Sequence, residues 1–585
     1  MKDTVIRSFI VTSLTLIMFA GGALAETHNP GNGSTQPSAK TPATLYFGGD
    51  ILTMNGDAPG YVEAVVSAEG EIVFVGKQAE ARSRFPDAQA HNLQGKLLMP
   101  SFRDPHGHFA FAVQMIDQVN VSIPPVGPVR SIADVLEQLE GFKKERGLSN
   151  DDPIIGWGYD QDGLKERRHI TKLDLDKDFP QNPVVLIHVS GHGAVLNSKA
   201  LQWAGVTRET ATPEGGVIAR LPGGNEPAGL LMETAWIPVM DKLPKASVEH
   251  RLGVIEEAQM GYAKNGYTSA VEGFAFIRDV EFLQLAAKQG KLFIDIVALM
   301  GFPEVEEWLH NPKYPFERDY TNHFRIAAMK ITQDGSPQGK TAYMRDPYLT
   351  GGPSGQKNWR GEPTSPRQVF DQLVKTAMDN KIPLQVHCNG DAAIDMVIDA
   401  VKATGITAGD DRRTVIVHSN LQAPGQLDSY VELGLTPTYF TNHAFFWGDV
   451  HVMNFGKKRA FNLSPVKTAR SKGLVVSNHT DFNITPLDPF FTIWTAMKRE
   501  SRSGVIIGPD ERVDAYTALQ ALTTGPAWQF FEEERVGKLK TGMEASFVIL
   551  DSNPLKAADV DAIREVKVLE TIKEGKTIYK RQDRS

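Results

Sequence analysis

Short apolar runs alternate with amphipathic stretches through the long middle of the chain. Eight of these runs are predicted strands: 97–102, 268–273, 293–299, 325–331, 383–388, 414–419, 436–440 and 474–477. Several are followed by a sequence with the amphipathic pattern of a helix, such as DAAIDMVIDAVKATG after the fifth run. Because strands that alternate with helices favour a parallel sheet, we expect an α/β fold, a (β/α)8 TIM-like barrel over 99–535.

Two features depart from a plain barrel. The segment 103–267 separates the first predicted strand from the second, which predicts a large insertion after strand one. Both ends of the chain, 42–98 and 536–585, are rich in β-branched and aromatic residues punctuated by Gly and Asp, as short hairpins require. We expect these ends to pair into one small β-sandwich domain.

The N-terminus has the pattern of an export signal. Lys2 and Arg7 precede an apolar run over 9–19, which is too short to span a bilayer, and Ala23-Leu24-Ala25 resembles a cleavage site. The prediction is a signal peptide over 1–25, a flexible lead-in over 26–41 and a periplasmic or secreted protein. The alternative is an uncleaved anchor. No later run reaches 18 apolar residues, so no stable membrane insertion is expected after cleavage.

Charge and cysteine content exclude several classes of protein. The chain of 585 residues carries 62 Lys+Arg against 70 Asp+Glu, a net charge of −8. A nucleic-acid binder would need clustered basic charge, so no nucleic-acid partner is expected. The single cysteine, Cys388, excludes an intramolecular disulfide and a cysteine-cluster metal site. It adjoins His387 on a strand, so we expect it to point the other way and pack in the core.

Histidines at the ends of predicted strands carry the main chemical signal. Each one alone is as well explained by a buried core residue, and a strand-end Asp by a helix cap. Their conjunction at the carboxyl rim of a barrel predicts a metal site with nitrogen and oxygen ligands, which suit Zn²⁺. The residues concerned are His106, His108, Lys330, His387, His418 and Asp481.

Five motifs together resemble the amidohydrolase superfamily, in the amidohydrolase-3 branch that includes N-substituted formamide deformylase. They are KLLMPSFRDPHGHF, MKITQDGSPQGKTA, HCNGDAAID, TNHAFFWGD and SNHTDFNITPLDP. The resemblance covers about residues 42–580, with Ser101 where Gly is usual. The five motifs are specific for this family as a set, although no single motif is.

The resemblance implies roles for the six residues. His106 and His108 would bind one metal ion with Asp481, and His387 and His418 a second, with Lys330 bridging them as a carbamate. An ordinary charged lysine and a single ion remain alternatives, as does a divalent metal other than Zn²⁺. A bound ion would activate water as hydroxide, and Asp481 would act as general base and acid.

Five other residues are candidates for the substrate pocket. His443 would polarise the substrate carbonyl or hold the oxyanion, with a packing role as the alternative. Contacts with substrate are predicted for His192, Trp157, Trp447 and His479, each with a structural alternative.

The expected reaction is hydrolysis of a non-peptide C–N bond in a small-molecule amide, of the formamide or N-acyl-amide kind. Alternative substrates are cyclic amides, carbamates and N-acyl amino acids, because the same ligand set would serve them. An alternative hypothesis from a different functional class is that the chain is a non-catalytic exported regulatory protein with a hydrolase fold. The resemblance also implies a homodimer.

Overall fold

The computed structural model describes residues 43–124, 126–243 and 246–582. The described residues within Pro42–Ser585 form one compact unit. The predicted signal peptide, its cleavage site and the lead-in lie outside the described residues. Among the helices of the described ranges, none combines the length and the apolar character that crossing a bilayer requires.

The described residues form 21 strands and 17 α-helices. The strands β1 to β21 are Thr44–Leu52, Tyr61–Ala68, Glu71–Gly76, Gln89–Asn92, Leu97–Pro100, Val119–Asn120, Ile154–Tyr159, Val184–His188, Gly193–Leu196, Gly216–Arg220, Pro227–Glu233, Ser269–Ala275, Asp295–Gly301, Phe324–Thr332, Leu384–Cys388, Val415–His418, Thr436–Tyr439, Ser477–Asn478, Phe547–Leu550, Val568–Lys573 and Lys576–Lys580. The helices α1 to α17 are Gln78–Arg84, Phe109–Met115, Ile132–Arg146, Lys172–Leu175, Ser198–Ala204, Ile237–Lys242, Val248–Lys264, Ile277–Lys288, Val305–Trp308, Arg367–Asp379, Asp391–Ala403, Gln426–Leu433, Asn442–Ala460, Val466–Ser471, Pro489–Lys498, Ala515–Gln520 and Thr524–Gln529.

A seven-stranded parallel sheet lies at the centre of the fold. Its strands β12 to β18 neighbour one another in chain order. Helices α8, α10, α11 and α12 lie between successive strands, as the alternating pattern predicts. The buried strands are short apolar runs, and α11 buries its apolar stripe, for example Ile394 and Val397, in the same core. This part is the predicted α/β architecture.

Closure into an eight-stranded barrel is not confirmed. The hydrogen-bonded path of the central sheet runs from β12 to β18 and ends there. Among the described residues, the β-pairing of the segment after β5 with this sheet region consists of isolated bridges, parallel at Phe102–Tyr267 and Gly107–Phe482 and antiparallel at His108–Glu272. These bridges nevertheless bring the segment carrying His106 and His108 beside the parallel sheet.

The first predicted strand belongs to a different sheet from the one expected. β5 pairs antiparallel with β19 and parallel with β1, within an eight-stranded mixed sheet made from both ends of the chain. Its residues Leu97, Leu98 and Met99 are fully buried. A short run that is apolar on both faces does not reveal which sheet it will join. Hydrogen bonding connects the terminal strands into one sheet, so the predicted two-sheet sandwich is not confirmed either.

The predicted insertion contains a sheet of its own. Strands β6 to β11 form a six-stranded mixed sheet in the order β10-β11-β9-β8-β7-β6. Its apolar residues, among them Val121, Leu186 and Leu230, make a separate buried cluster. Helix α7 then leads back to β12. The carboxyl ends of β14, β15 and β16 meet at one edge of the central sheet, and this edge faces residues supplied by the insertion.

Candidate metal centre

The HGH sequence lies in a buried segment between β5 and α2. The rings of His106 and His108 are 5.3 Å apart at their centroids, and His106 is 1% exposed. Gly273 in β12 lies against this ring, and a Cβ at its position would be only 2.5 Å from the His106 ring. The glycine at this position therefore makes room for the histidine.

Asp481 connects the two histidines of HGH to a third. Its Oδ1 lies 3.4 Å from His106 Nε2 and 3.5 Å from His108 Nε2, and its Oδ2 lies 3.9 Å from His418 Nδ1. Ligand atoms of His106, His418 and Asp481 all lie within 4.8 Å of one another, and all three side chains are buried. Residues from three distant parts of the chain thus present their donor atoms to one small space.

The remaining predicted ligands extend this cluster along the sheet edge. His387 Nδ1 lies 2.9 Å from His418 Nε2, and Lys330 Nζ lies 3.3 Å from His106 Nε2. His387 and Lys330 are 5% and 2% exposed. The structure therefore brings together all six residues that the sequence predicts as metal ligands, although these assignments themselves stay predictions.

Burial sets the protonation states that a metal site needs. Burial, reinforced by neighbouring positive groups, holds the pKa of His106, His387 and His418 well below the ordinary histidine value. Burial also lowers the pKa of Lys330 to about 7. For Asp481, burial acts to raise the pKa, but the hydrogen bond and charge of His108 outweigh it and the net shift is downward. Neutral imidazoles and an ionised carboxylate are ligands of Zn²⁺ and similar cations, so His106, His387, His418 and Asp481 fit such an ion.

Two of the clustered residues adopt a backbone conformation that side chains disfavour. His418 has φ +70° and Asp481 has φ +51°, both in the left-handed region. Neither residue is glycine, so this geometry costs conformational energy that the surrounding structure must offset. Such strain is concentrated at functional sites in proteins.

Two carboxylates beside the cluster were not identified from the sequence. Asp104 Oδ2 accepts a hydrogen bond from Thr480 Oγ1 at 2.5 Å, and Asp104 Oδ1 accepts one from the Thr480 N–H. Asp104 therefore connects the HGH segment to the loop of Asp481.

The second carboxylate, Glu272 in β12, has its Oε1 3.7 Å from His108 Nδ1. Burial acts to lower the pKa of His108, but the nearby carboxylates of Asp481 and Glu272 raise it to about 9. Glu272 stands within the second predicted strand, in TSAVEGF, which is a signal that could have found it.

A cavity of about 200 Å³ opens onto the cluster. Its polar floor includes all six predicted ligands together with His192, Glu233 and Glu272. Its walls are mainly apolar, with Phe111, Ile187, Trp236, Met240, Phe274 and Ile484. The site can therefore hold a small molecule whose polar group reaches the cluster while an apolar group lies against the walls.

His192 is the predicted substrate contact that the structure places in this cavity. It comes from the insertion, just before β9, and its ring centroid lies 4.7 Å from that of His387. Its Nδ1 lies 2.9 Å from Glu233 Oε2. Burial acts to lower the pKa of His192, but the negative charge of Glu233 opposes it and the net shift is upward.

The other four predicted pocket residues do not line the cavity. His479 lies behind the cluster, with its Nε2 3.2 Å from His418 Nδ1. His443 is 3% exposed and its Nδ1 lies 3.0 Å from His451 Nε2, while Trp447 donates a hydrogen bond to Asp160. Trp157 packs in an apolar cluster of the insertion. Their predicted roles in substrate binding and carbonyl polarisation stay predictions.

Comparison with known proteins places these features in context. A family model described as "Amidohydrolase family" matches residues 89–579. The chain is 28% identical over 534 residues to N-substituted formamide deformylase of Arthrobacter pascens, covering 89% of this chain and 95% of that protein. It is 27% identical over 557 residues to YtcJ of Bacillus subtilis, covering 92% and 99% of the two chains. A metal-dependent hydrolase from Pyrococcus horikoshii has a similar fold, with a TM-score of 0.68, 23% identity and coverage of 92% of this chain and 100% of that one.

Proposed function

The chain belongs to the amidohydrolase family, and we propose that it is a metal-dependent hydrolase that cleaves a C–N bond other than a peptide bond, in a formamide or another N-acyl amide. The observation that carries the proposal is the buried convergence of His106, His418 and Asp481 at the polar floor of a cavity whose walls are mainly apolar. The relative named N-substituted formamide deformylase supports the choice of bond.

The six clustered residues would hold one or two Zn²⁺ ions or another divalent metal. His106, His108 and Asp481 would bind one ion, and His387 and His418 would bind the other. When bound, such an ion supplies Lewis acidity, which polarises a carbonyl group and lowers the pKa of water to near 7. The chain's own residues then have two tasks, to hold the amide and to move protons.

Lys330 would join the cluster as a carbamate. An ammonium group has no lone pair, so lysine can act as a ligand only when it is neutral or carbamylated. The lowered pKa, about 7, makes the neutral amine accessible near neutral pH. The amine nitrogen would add to the carbon of CO₂ and lose a proton, which leaves a carbamate with one negative charge.

Asp481 would carry the proton. The depressed pKa keeps its carboxylate ionised and able to accept a proton from the attacking water. Its side chain lines the cavity beside His106 and His108. The proton would then pass to the leaving nitrogen, so that an amine and a carboxylic acid are released.

The cavity limits the size and polarity of the substrate. Its volume of about 200 Å³ suits a small amide, and its mainly apolar walls favour an alkyl or aryl substituent. Cyclic amides, carbamates and N-acyl amino acids share the same chemistry at the cluster, so substrates must be compared directly.

The test is a substrate panel with metal-loaded protein. The panel contains N-substituted formamides, longer N-acyl amides, cyclic amides, carbamates and dipeptides, and release of amine and acid is measured by mass spectrometry. We expect hydrolysis of formamides or simple N-acyl amides and little hydrolysis of dipeptides. Failure to cleave any amide in the panel with metal bound would refute the proposal and favour a non-catalytic role.

A further inference from the structure

The insertion contributes a carboxylate–imidazole pair to the cavity. Glu233, the last residue of β11, and His192, just before β9, both line it. Glu233 Oε2 lies 2.9 Å from His192 Nδ1, and the Glu233 backbone N–H donates to the His192 carbonyl, also at 2.9 Å. Two bonds therefore hold the histidine against the end of a strand.

The position of Glu233 is structurally demanding. Its backbone has φ +52°, a left-handed conformation that is uncommon outside glycine, and its side chain is 6% exposed. Its second oxygen, Oε1, is buried without a hydrogen-bond partner among the described residues. A Cβ at Gly335 would lie 2.2 Å from this oxygen, so the glycine after β14 makes room for the carboxylate. Strain, an unsatisfied buried oxygen and a close glycine together indicate that this carboxylate is placed for a purpose beyond packing.

The histidine held by this pair has one ring nitrogen left for a ligand. Its Nδ1 is occupied by Glu233, and its Nε2 makes no hydrogen bond to another residue in the described part of the chain. The ring lies against His387, at the edge of the cluster, and both residues line the cavity that would receive the amide. His443, which the sequence suggested for a carbonyl contact, lies outside the cavity lining.

We propose that Glu233 is a positioning residue that holds His192 so that its Nε2–H donates a hydrogen bond to the carbonyl oxygen of the substrate. The assignment rests on the proposed amide hydrolysis and adds a residue pair from the insertion to it. A carboxylate on Nδ1 favours a ring that carries N–H groups on both nitrogens. A fixed donor at this oxygen stabilises the charge that develops as the carbonyl carbon becomes tetrahedral.

The experiment compares four variants on the amide that the wild type cleaves best. His192→Ala should lower kcat by about 10²–10³-fold, the usual loss when one such donor is removed, while KM changes little. Glu233→Ala should approach the same loss, and Glu233→Gln, which keeps an acceptor oxygen, should lose less. Because Glu233 acts through His192, the double variant His192→Ala/Glu233→Ala should be no slower than His192→Ala alone.

Metal content and melting temperature separate this role from simple packing. We expect every variant to keep the metal content of the wild type, because neither residue is a ligand. A matched control is His250→Ala, which removes an exposed histidine whose Nε2 lies 2.9 Å from Asp117 Oδ2, outside the cavity lining. This control should keep the wild-type kcat.

Three results would overturn the assignment. The first is a kcat for His192→Ala within about three-fold of the wild type. The second is loss of metal in proportion to loss of activity, which would mean that His192 only packs against His387. The third is losses that multiply in the double variant. In all three cases the wild type still cleaves amides and the proposed function stands, whereas a wild type without amide hydrolysis would overturn both.

Discussion

Replacing Asp481 by Asn tests the proton-transfer role most directly. The change removes one negative charge and the ability to accept a proton, while the shape of the side chain is nearly kept. The backbone at this position has φ +51°, and Asn tolerates the left-handed region as well as Asp does. We therefore expect Asp481→Asn to fold with a melting temperature close to that of the wild type.

The size of the effect follows from where the carboxylate lies. Its Oδ1 is within 3.5 Å of both histidines of HGH and the group is buried, so no solvent molecule can easily take over its role. A positioned general acid–base contributes about 10²–10⁴-fold to a rate, so kcat should fall by that factor. This corresponds to about 3–5 kcal/mol of lost transition-state stabilisation. Four histidines and Lys330 remain, so most of the metal should be retained.

The assay measures kcat at saturating amide, metal content by elemental analysis and the melting temperature. Asp488→Asn is the matched control in the same loop region. Asp488 caps α15 by accepting the N–H groups of Phe490 and Phe491 at 2.9 and 3.0 Å. Asn caps a helix about as well as Asp, so this control should be nearly silent.

Two outcomes would refute the reasoning about Asp481. One is a kcat for Asp481→Asn within a few-fold of the wild type, with metal still bound. The other is a loss of activity that excess Zn²⁺ fully restores, because Asp481 would then serve only as a ligand.

Three further predictions concern metal, lysine and export. His106→Ala should lower metal content and activity together, and a fully active metal-free preparation would contradict the metal assignment. Lys330→Ala should lose activity and be partly rescued by short-chain carboxylic acids that replace the carbamate, whereas full activity of Lys330→Arg would exclude a bridge, because a guanidinium cannot form one. Sequencing of the exported protein should begin at Glu26, and finding residues 1–25 intact on a cytosolic protein would contradict the signal peptide.

The pattern of short apolar runs in the sequence was enough to locate strands of the central sheet. The predicted runs 325–331 and 383–388 correspond to Phe324–Thr332 and Leu384–Cys388, and the run 414–419 to Val415–His418. Buried parallel strands are continuous apolar runs bounded by polar residues, so their positions can be read without knowing their neighbours. For the same reason Lys330, His387 and His418 could be placed at carboxyl ends of strands.

Pairing between distant segments could not be predicted in the same way. The run at 97–102 was expected in the barrel, yet β5 joins the terminal sheet between β1 and β19. Its buried residues satisfy either sheet, so only its pairing with these two strands decides which sheet it joins. The closed barrel was inferred from the alternation of strands with helices, and the sandwich from the β-rich ends of the chain. Neither pattern carries information about where a hydrogen-bonded path ends.

The candidate site shows the same difference between features that local sequence predicts and features that depend on contacts between distant segments. The sequence by itself predicted the set of candidate metal-binding side chains, because HGH and the strand-end residues are local features with a recognisable chemistry. Only the tertiary structure decided their surroundings. It placed Glu272 beside His108 and Glu233 beside His192, and it left His443 and Trp447 outside the cavity lining. The physical reason is that these contacts depend on the direction of side chains in loops and on packing between elements far apart in the chain, whereas apolar periodicity reports only which residues are buried.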